Sequence, residues 1–186
     1  MNNLENYFIK GGKISLRPLV ESDSDWFFKW YNDFDTRIKT GISTPCSYSE
    51  AKEYASKERK DSVWFAIIEN KTKKMIGETG LIRMYPAWQT TDLSIIIPDP
   101  QDQHQGFGKE AIYLMMNYAF GYLNYHRIAI GVVGFNEEAL KFYERVGFKK
   151  EGIQEDGYYI NYKYYDFIMM RILKSEFVTK YSLYND

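Results

Sequence analysis

A short polar stretch between two apolar segments holds the residues whose spacing first suggests chemistry. Residues 103–109 read Gln-His-Gln-Gly-Phe-Gly-Lys. The β-branched run before them favours a buried strand, and the apolar spacing of residues 112–123 is one face of a helix. The first N–H groups of a helix have no partner within it, and the helix dipole favours an anion there. The pattern predicts either a phosphate-binding turn or an ordinary strand–helix connection.

The two glycines of this stretch decide which phosphate sites are possible. Gly106 and Gly108 have no Cβ, so an anion can approach the backbone closely. The turn lacks the Gly-Lys-Ser/Thr ending of a P-loop and the third glycine of a dinucleotide-binding turn. A nucleotide-binding regulator with P-loop chemistry is therefore disfavoured.

Composition restricts the class of protein. The 186 residues fit one domain, and a net charge of −1 gives no basis for a nucleic-acid or membrane-surface partner. No run reaches the roughly 18 apolar residues that a membrane-spanning helix needs. The single cysteine, Cys46, cannot form an internal disulfide, which favours a cytoplasmic protein. Two isolated histidines and one cysteine do not make a zinc site, so no metal is expected.

Periodicity and capping residues predict the order of the elements. Strands are predicted at residues 14–19, 63–69, 75–84, 92–97, 127–133, 148–153 and 158–173, with a turn at 155–157. Helices are predicted after Ser22, after the capping box of Ser47 and Glu50, after the glycine turn and at residues 136–146, with a loop at 32–46. Hairpins followed by βα units predict an α/β (α+β) fold. Its sheet is mixed and mostly antiparallel, with about six to seven strands and about four helices.

Two motifs, and the distance between them in the sequence, resemble those of the GNAT superfamily of acetyl-CoA-dependent N-acetyltransferases. The first is Gln103-x-x-Gly106-x-Gly108, and the second is Asn136, a helix with Ala139 and Tyr143, and then Gly147-Phe148. The C-terminal part is similar to the branch that holds ribosomal-protein N-terminal and spermidine acetyltransferases. The resemblance implies a single GNAT domain at residues 13–175, a flexible N-terminus at 1–12 and a C-terminal tail at 176–186.

The resemblance implies acetyl-CoA as the acetyl-donating cosubstrate. The cofactor-binding residues that it implies are Ile95, Ile96, Ile97, Gln103, His104, Gln105, Gly106, Phe107, Gly108, Lys109, Asn136 and Tyr143. The family commonly has glycine at the position of His104 and a basic residue at the position of Gln105. Both departures lie where the pyrophosphate is expected, so backbone donors are expected to hold it.

The implied reaction is the attack of a neutral amine on a thioester. A Lys-like amine has a pKa of about 10.4 and must lose a proton, and a leaving thiolate with a pKa of about 8.5 benefits from an acid. The family role of Tyr143 is that acid, although its helical face also fits a core aromatic. Asn136 also fits a helix N-cap. Asp92 and Glu78 are candidate bases acting through water, and each also fits a solvated or sheet-edge carboxylate.

The acceptor is less constrained by the sequence. Residues 21–35 contain five acids and one lysine, which suits a cationic small molecule such as a polyamine, or else is a solvated helix face. One alternative acceptor is a protein or peptide N-terminus. Another alternative is a non-catalytic acetyl-CoA-binding protein. The aromatic strands at residues 158–167 would allow two copies to pair as a homodimer.

Overall fold

The computed structural model describes residues 6–181, and within them eight strands and six α-helices are found. The strands are β1 Ile9–Lys10, β2 Ile14–Pro18, β3 Val63–Glu69, β4 Met75–Tyr85, β5 Thr90–Ile96, β6 Arg127–Val133, β7 Lys149–Ile160 and β8 Lys163–Leu173. The helices are α1 Ser24–Tyr31, α2 Phe34–Thr40, α3 Tyr48–Ser56, α4 Phe107–Asn117, α5 Glu137–Val146 and α6 Lys174–Tyr181.

The described strands form one sheet in the order β1-β2-β3-β4-β5-β6-β8-β7. β1 with β2, β2 with β3, β6 with β8 and β7 with β8 pair antiparallel. β5 and β6 pair in parallel over Thr90–Asp92, because α4 supplies the crossover that parallel neighbours need. The mixed, mostly antiparallel α+β sheet predicted from the sequence is confirmed, with slightly more strands and helices than predicted.

Backbone contacts divide the chain into two compact units. Among the described residues, the first contains 6–80 together with Ser94–Leu114, and the second contains Leu81–Leu93 and 115–181. The core of the first unit includes the fully buried Phe27, Leu16 and Ile67. That of the second includes Phe120, Ile128, Phe148 and Phe177.

The loop predicted at residues 32–46 is wrong in its first half, where α2 forms. Asp33 caps this helix, since its Oδ2 accepts from Thr36 N at 2.9 Å. Gly41 ends it with φ +79°. The helix spans seven residues and buries only Thr36, so it has no apolar period that a sequence pattern could reveal.

The predicted loose ends, residues 1–12 and 176–186, lie partly outside the described residues. Within residues 6–12, β1 pairs with β2 through Ile9 and Lys10. At the other end, α6 extends to Tyr181 and buries Phe177 and Val178. Residues 9–10 and 176–181 therefore form secondary structure.

The turn predicted at residues 155–157 is also wrong. These residues continue β7, where the pairing with β8 shifts between Gln154 and Tyr158. The hairpin turns instead at Asn161 and Tyr162, which have φ of +49° and +62°. Two consecutive left-handed residues suit a tight hairpin, but such turns usually carry glycine, so the sequence signal was weak.

Candidate active site

The glycine turn leads into α4, as the sequence predicts. Gly106 has φ +88°, a left-handed value that a side-chain-bearing residue adopts only with strain. Its carbonyl accepts from Glu110 N at 3.1 Å and closes the first helical turn. Phe107 is buried and anchors the turn, whereas His104, Gln105 and Lys109 are exposed. The first N–H groups of a helix have no partner within it, so they and the glycine backbone could bind a phosphate.

Gln103 joins this turn to the end of β5. Its Nε2 donates to Ile97 O at 2.9 Å. The residues Ile95–Ile97 are half-buried. Gly77 of β4 lies so close to the Ile96 carbonyl that a Cβ at this glycine would overlap the oxygen. The close backbone approach that glycines in a strand indicate is therefore present here.

Glu78 on β4 is completely buried and lies beneath two phenols. Tyr31 Oη donates to Glu78 Oε1 at 2.5 Å, and Tyr54 Oη donates to Oε2 at 3.3 Å. The Arg59 guanidinium lies 4.4 Å from the Tyr54 ring centroid and donates from Nη2 to Tyr54 O at 2.7 Å. These four residues, the Glu78 cluster, come from α1, α3, the loop after α3 and β4.

Opposing effects set the protonation of this cluster. Burial raises the pKa of Glu78 to about 7, although the two tyrosine hydrogen bonds and the Arg59 charge lower it. Burial first, and then the charge of Glu78, raise the pKa values of Tyr31 and Tyr54 above the usual range. The phenols stay protonated at neutral pH, while the Glu78 carboxyl can gain or release a proton. A carboxyl of this kind suits a general base.

Asp92, the other carboxylate candidate, is held by an arginine. Arg83 Nε donates to Asp92 Oδ2 at 2.5 Å, and its Nη2 contacts the same oxygen. Asp92 lies on β5, in the second unit, where it is aligned with Ala129 of β6. Asp92 is therefore paired with a cation, whereas the hydrogen-bond donors to Glu78 are two uncharged phenols.

Tyr143 and Asn136 belong to α5, in the second unit. Asn136 Oδ1 accepts from Ala139 N at 3.2 Å, so the alternative prediction of a helix N-cap is confirmed. Tyr143 is only 8% exposed, and its ring packs edge-on against Phe148 with centroids 5.8 Å apart. Burial raises the pKa of its phenol above the usual range. Tyr143 is thus a core aromatic that also keeps its proton, as a general acid must.

The acids between residues 21 and 35 mostly have partners of their own. Asp23 is buried and forms a two-pronged pair with Arg17, at 2.6 and 2.8 Å. Other partners are Lys52 for Glu21, the Tyr48 hydroxyl for Asp25 and Thr36 for Asp33. Two of these acids are paired with cations, whereas the partners of Asp25 and Asp33 are uncharged hydroxyls, so the segment keeps part of its negative charge.

The structure also bears on a cysteine nucleophile, a metal site and a membrane-spanning helix. Burial and the nearby Glu50 raise the pKa of the Cys46 thiol, which lowers its thiolate fraction as a nucleophile. Within residues 6–181, no group of three or more His, Cys, Asp or Glu side chains is arranged to hold a metal ion. In the same residues no helix is long and apolar enough to cross a membrane.

Sequence reasoning missed the partners of Glu78. Tyr31 and Tyr54 have the spacing of apolar helix faces, and that pattern does not distinguish a core aromatic from a phenol bonded to a carboxylate. Arg59 follows α3 in a segment without periodicity. The hydrogen bonds join Glu78 to Tyr31, 47 positions away in the chain, and to Tyr54, 24 positions away. A local sequence pattern does not detect contacts over such distances.

Comparison with known proteins identifies the family. A family model described as an acetyltransferase (GNAT) domain matches residues 13–149. The spermidine N(1)-acetyltransferase of Vibrio cholerae is 31% identical over 135 residues, which cover 72% of this chain and 78% of the relative. A probable N-acetyltransferase of Bacillus subtilis is 27% identical over 180 residues, covering 90% and 98%.

A solved structure extends the likeness to the fold. The crystal structure of spermidine N-acetyltransferase from Vibrio cholerae in complex with CoA and spermine superposes with a TM-score of 0.82 at 27% identity. The match covers 90% of this chain and 99% of that one. Together with the glycine turn of α4, the capped helix α5 and the mixed sheet, these matches show that the chain belongs to the GNAT family and is an acetyl-CoA-dependent N-acetyltransferase.

Proposed function

We propose that the protein transfers the acetyl group of acetyl-CoA directly to a primary amine of a polyamine. The observation that carries the mechanism is the buried Glu78 carboxyl, whose pKa is raised to about 7 beneath two phenols. The choice of acceptor is supported by relatives named spermidine acetyltransferases and by a structural neighbour whose complex contains CoA and spermine.

The cosubstrate is proposed to bind at the turn before α4, along the end of β5 and at Asn136. The left-handed Gly106 and the first-turn N–H groups of α4 fit phosphate oxygens. The residues Ile95–Ile97 lie beyond Thr90–Asp92, where β5 is paired with β6, so their backbone groups are proposed to hold the amides of the pantetheine arm. When bound, acetyl-CoA supplies the thioester that the amine attacks.

Glu78 is the proposed base, acting through Tyr31. The amine gives a proton to the Tyr31 hydroxyl oxygen as the hydroxyl proton passes to Glu78 Oε1. This relay is proposed because Glu78 itself is completely buried and Tyr31 Oη lies within hydrogen-bond distance of it. The amine must be neutral to attack, so a carboxyl with a pKa of about 7 is matched to the task at neutral pH.

Tyr143 is the proposed acid that protonates the sulfur of the leaving thiolate. Its raised pKa means that the phenol is protonated over the working pH range. The amine nitrogen forms the new bond to the acetyl carbon, the carbon–sulfur bond breaks, and the Tyr143 proton goes to sulfur. Attack is proposed to be direct because the only cysteine has a raised pKa, which disfavours an acetyl-enzyme.

The test is thiol release from acetyl-CoA with a panel of amines. The panel contains spermidine, spermine, an aminoglycoside and short peptides with free N-terminal Ser or Ala. We expect turnover on the polyamines, and we expect Tyr143→Phe to lower kcat by about 100-fold or more. The matched control is Phe142→Tyr, which adds a phenol at the position just before Tyr143 in α5. It should leave kcat nearly unchanged.

The alternatives are separate outcomes of the same panel. Turnover on peptides alone would contradict a polyamine acceptor and indicate N-terminal acetylation. No turnover on any amine, with acetyl-CoA still raising the Tm, would indicate a non-catalytic binding protein. Full activity of Tyr143→Phe would exclude that residue as the acid.

We also propose that two copies associate through the aromatic part of β7 and β8. Tyr159, Tyr162 and Tyr164 are all more than half exposed in this hairpin. A spermidine N-acetyltransferase of Vibrio cholerae has been solved as a dodecamer, so a relative does assemble. Light scattering should give a mass above that of the monomer, and the double variant Tyr159→Ser/Tyr164→Ser should lower it. A monomeric mass for the native chain would contradict this proposal.

A further inference from the structure

Lys13 lies next to the glycine turn in the folded protein. It belongs to neither family motif and precedes β2, near the start of the chain. Its Nζ donates to Gln105 O at 2.8 Å across 92 positions of the chain. A Cβ built on Gly106 would lie 3.3 Å from the same Nζ. The ammonium group is therefore next to the backbone where the phosphates of acetyl-CoA are proposed to bind.

We propose that Lys13 adds a positive charge to that of Lys109 at the glycine turn and binds the diphosphate of acetyl-CoA. The inference rests on the proposed cofactor-binding role of the turn. Gln105 stands where related turns commonly carry a basic residue, so the turn's own sequence has one cation fewer. An ammonium group has three donors. Gln105 O uses one of them, and phosphate oxygens can accept from the other two.

The backbone of Lys13 is held in place for this role. The Glu110 carboxylate of α4 accepts from Gly12 N at 2.5 Å and from Lys13 N at 3.1 Å. Asn70 Nδ2 donates to the carbonyls of Gly11 and Gly12, at 3.0 and 2.9 Å. The turn before β2 is thereby fixed to the first turn of α4, which keeps the Lys13 ammonium beside Gln105.

The carboxylates that oppose an anion here include that of Glu69, which lines a surface depression beside the turn, and that of Glu110. The Glu110 carboxylate already accepts from two backbone N–H groups, which offset part of its charge. Without Lys13 the turn would keep these carboxylates nearby and lose the cation that is bonded to Gln105 O. Neutralising Lys13 should therefore weaken an anionic ligand more than the loss of one exposed lysine usually does.

A surface depression of about 470 Å³ adjoins the turn. Its lining consists of Gly12, Lys13, Glu69, Asn70, Lys71, Gln105 and Phe107. Lys71 faces the same depression, and no bond between its side chain and the turn is found within residues 6–181. It is the matched control, because it carries the same charge near the same site.

The experiment measures binding of CoA and of 3′-dephospho-CoA by calorimetry, with no amine present. We expect Lys13→Met to weaken both ligands by roughly tenfold to 100-fold, the range for loss of a charged hydrogen bond. Lys13→Arg should retain most of the affinity, and Lys71→Met should change it by less than about threefold. The affinity of Lys13→Met should also depend less on salt than that of the native protein.

Three results would overturn the assignment. The first is unchanged CoA binding by Lys13→Met. The second is a loss confined to CoA, with 3′-dephospho-CoA unaffected, since this would place Lys13 at the 3′-phosphate instead. The third is an equal loss in Lys13→Arg, which would indicate that the turn is misplaced rather than short of charge. Because no acceptor is present, failure of the polyamine proposal would leave this result intact.

Lys13→Gln is a second neutral variant in case Lys13→Met disturbs the turn. It should match the native Tm and show the same weakened binding of both ligands. Native CoA affinity in a folded Lys13→Gln would also overturn the proposal.

Discussion

Opposing effects act on the pKa of the Glu78 carboxyl. Removal from water disfavours its charge, while Tyr31, Tyr54 and Arg59 favour it. The balance leaves a pKa of about 7, so the ionised fraction rises through neutral pH. A base must be ionised to accept a proton, and the rate should follow that fraction.

At the residue scale, Glu78→Gln should therefore remove one limb of the pH–rate profile. In the native protein, log kcat/KM for spermidine should rise with pH and level off above about pH 7. The variant should lose that inflection and fall by about 100-fold or more, the usual contribution of a general base.

The control for this prediction is Asp92→Asn, which removes the alternative base. It should keep the inflection near neutral pH, because Glu78 is unchanged. An inflection that survives in Glu78→Gln and disappears in Asp92→Asn would reverse the assignment of the base.

Variants of Arg59 offer a second test of the proposed role of Glu78. Its charge lowers the pKa of Glu78, so Arg59→Met should raise that pKa and move the inflection of kcat/KM to higher pH. Arg59→Lys keeps the charge and should leave the inflection close to its native position. A shift to lower pH in Arg59→Met would show that the charge does not act on Glu78.

At the scale of the element, α2 depends on a single cap. Both the backbone N–H and the hydroxyl of Thr36 donate to Asp33 Oδ2. Asp33→Ala should cost about 1 kcal/mol of unfolding free energy. That loss lowers the Tm by roughly 2–4 °C in a chain of this size. Denaturant and thermal unfolding measure both quantities.

The matched control is Asp35→Ala, on the exposed side of the same first turn. It should change the free energy of unfolding by less than about 0.5 kcal/mol. The Thr36 hydrogen bonds lower the pKa of Asp33. Its contribution is therefore present above the unfolded pKa and is lost as pH falls, so native protein and Asp33→Ala should converge in acid. Equal losses in both variants would contradict the cap.

At the scale of the whole molecule, Glu78 makes stability depend on pH. Its folded pKa of about 7 exceeds the ordinary value of 4.5, so the folded state binds its proton more tightly. This contribution is fully present below the unfolded pKa and is lost as pH rises through the folded pKa. The native protein should thus lose up to roughly 3 kcal/mol relative to Glu78→Gln between about pH 5 and pH 8.

Chemical denaturation across that pH range measures the difference. Glu53→Gln is the control, because Glu53 is an exposed carboxylate of α3. Its unfolding free energy should differ from that of the native protein by less than about 0.5 kcal/mol across the range, as for most exposed substitutions. A flat difference for Glu78→Gln as well would mean that Glu78 is as easily ionised in the folded state as in the unfolded state.

Local rules were enough for several elements of this fold. The capping box of Ser47 and Glu50 opens α3, and Asn136 and Gly147 bound α5. These signals act over one helical turn, so the sequence contains them in full. The rules failed at α2, which has no apolar period, and at Asn161 and Tyr162, where a tight turn forms without glycine.

The sequence by itself determined the family, the mixed sheet and the position of the glycine turn, because these depend on periodicity and on motifs of a few residues. Only the tertiary structure decided which carboxylate is buried against two phenols and which cation reaches the turn. A pKa depends on burial and on neighbours, and Tyr31 lies 47 positions from Glu78 in the chain. Lys13 lies 92 positions from Gln105, so their contact exists only once the chain has folded.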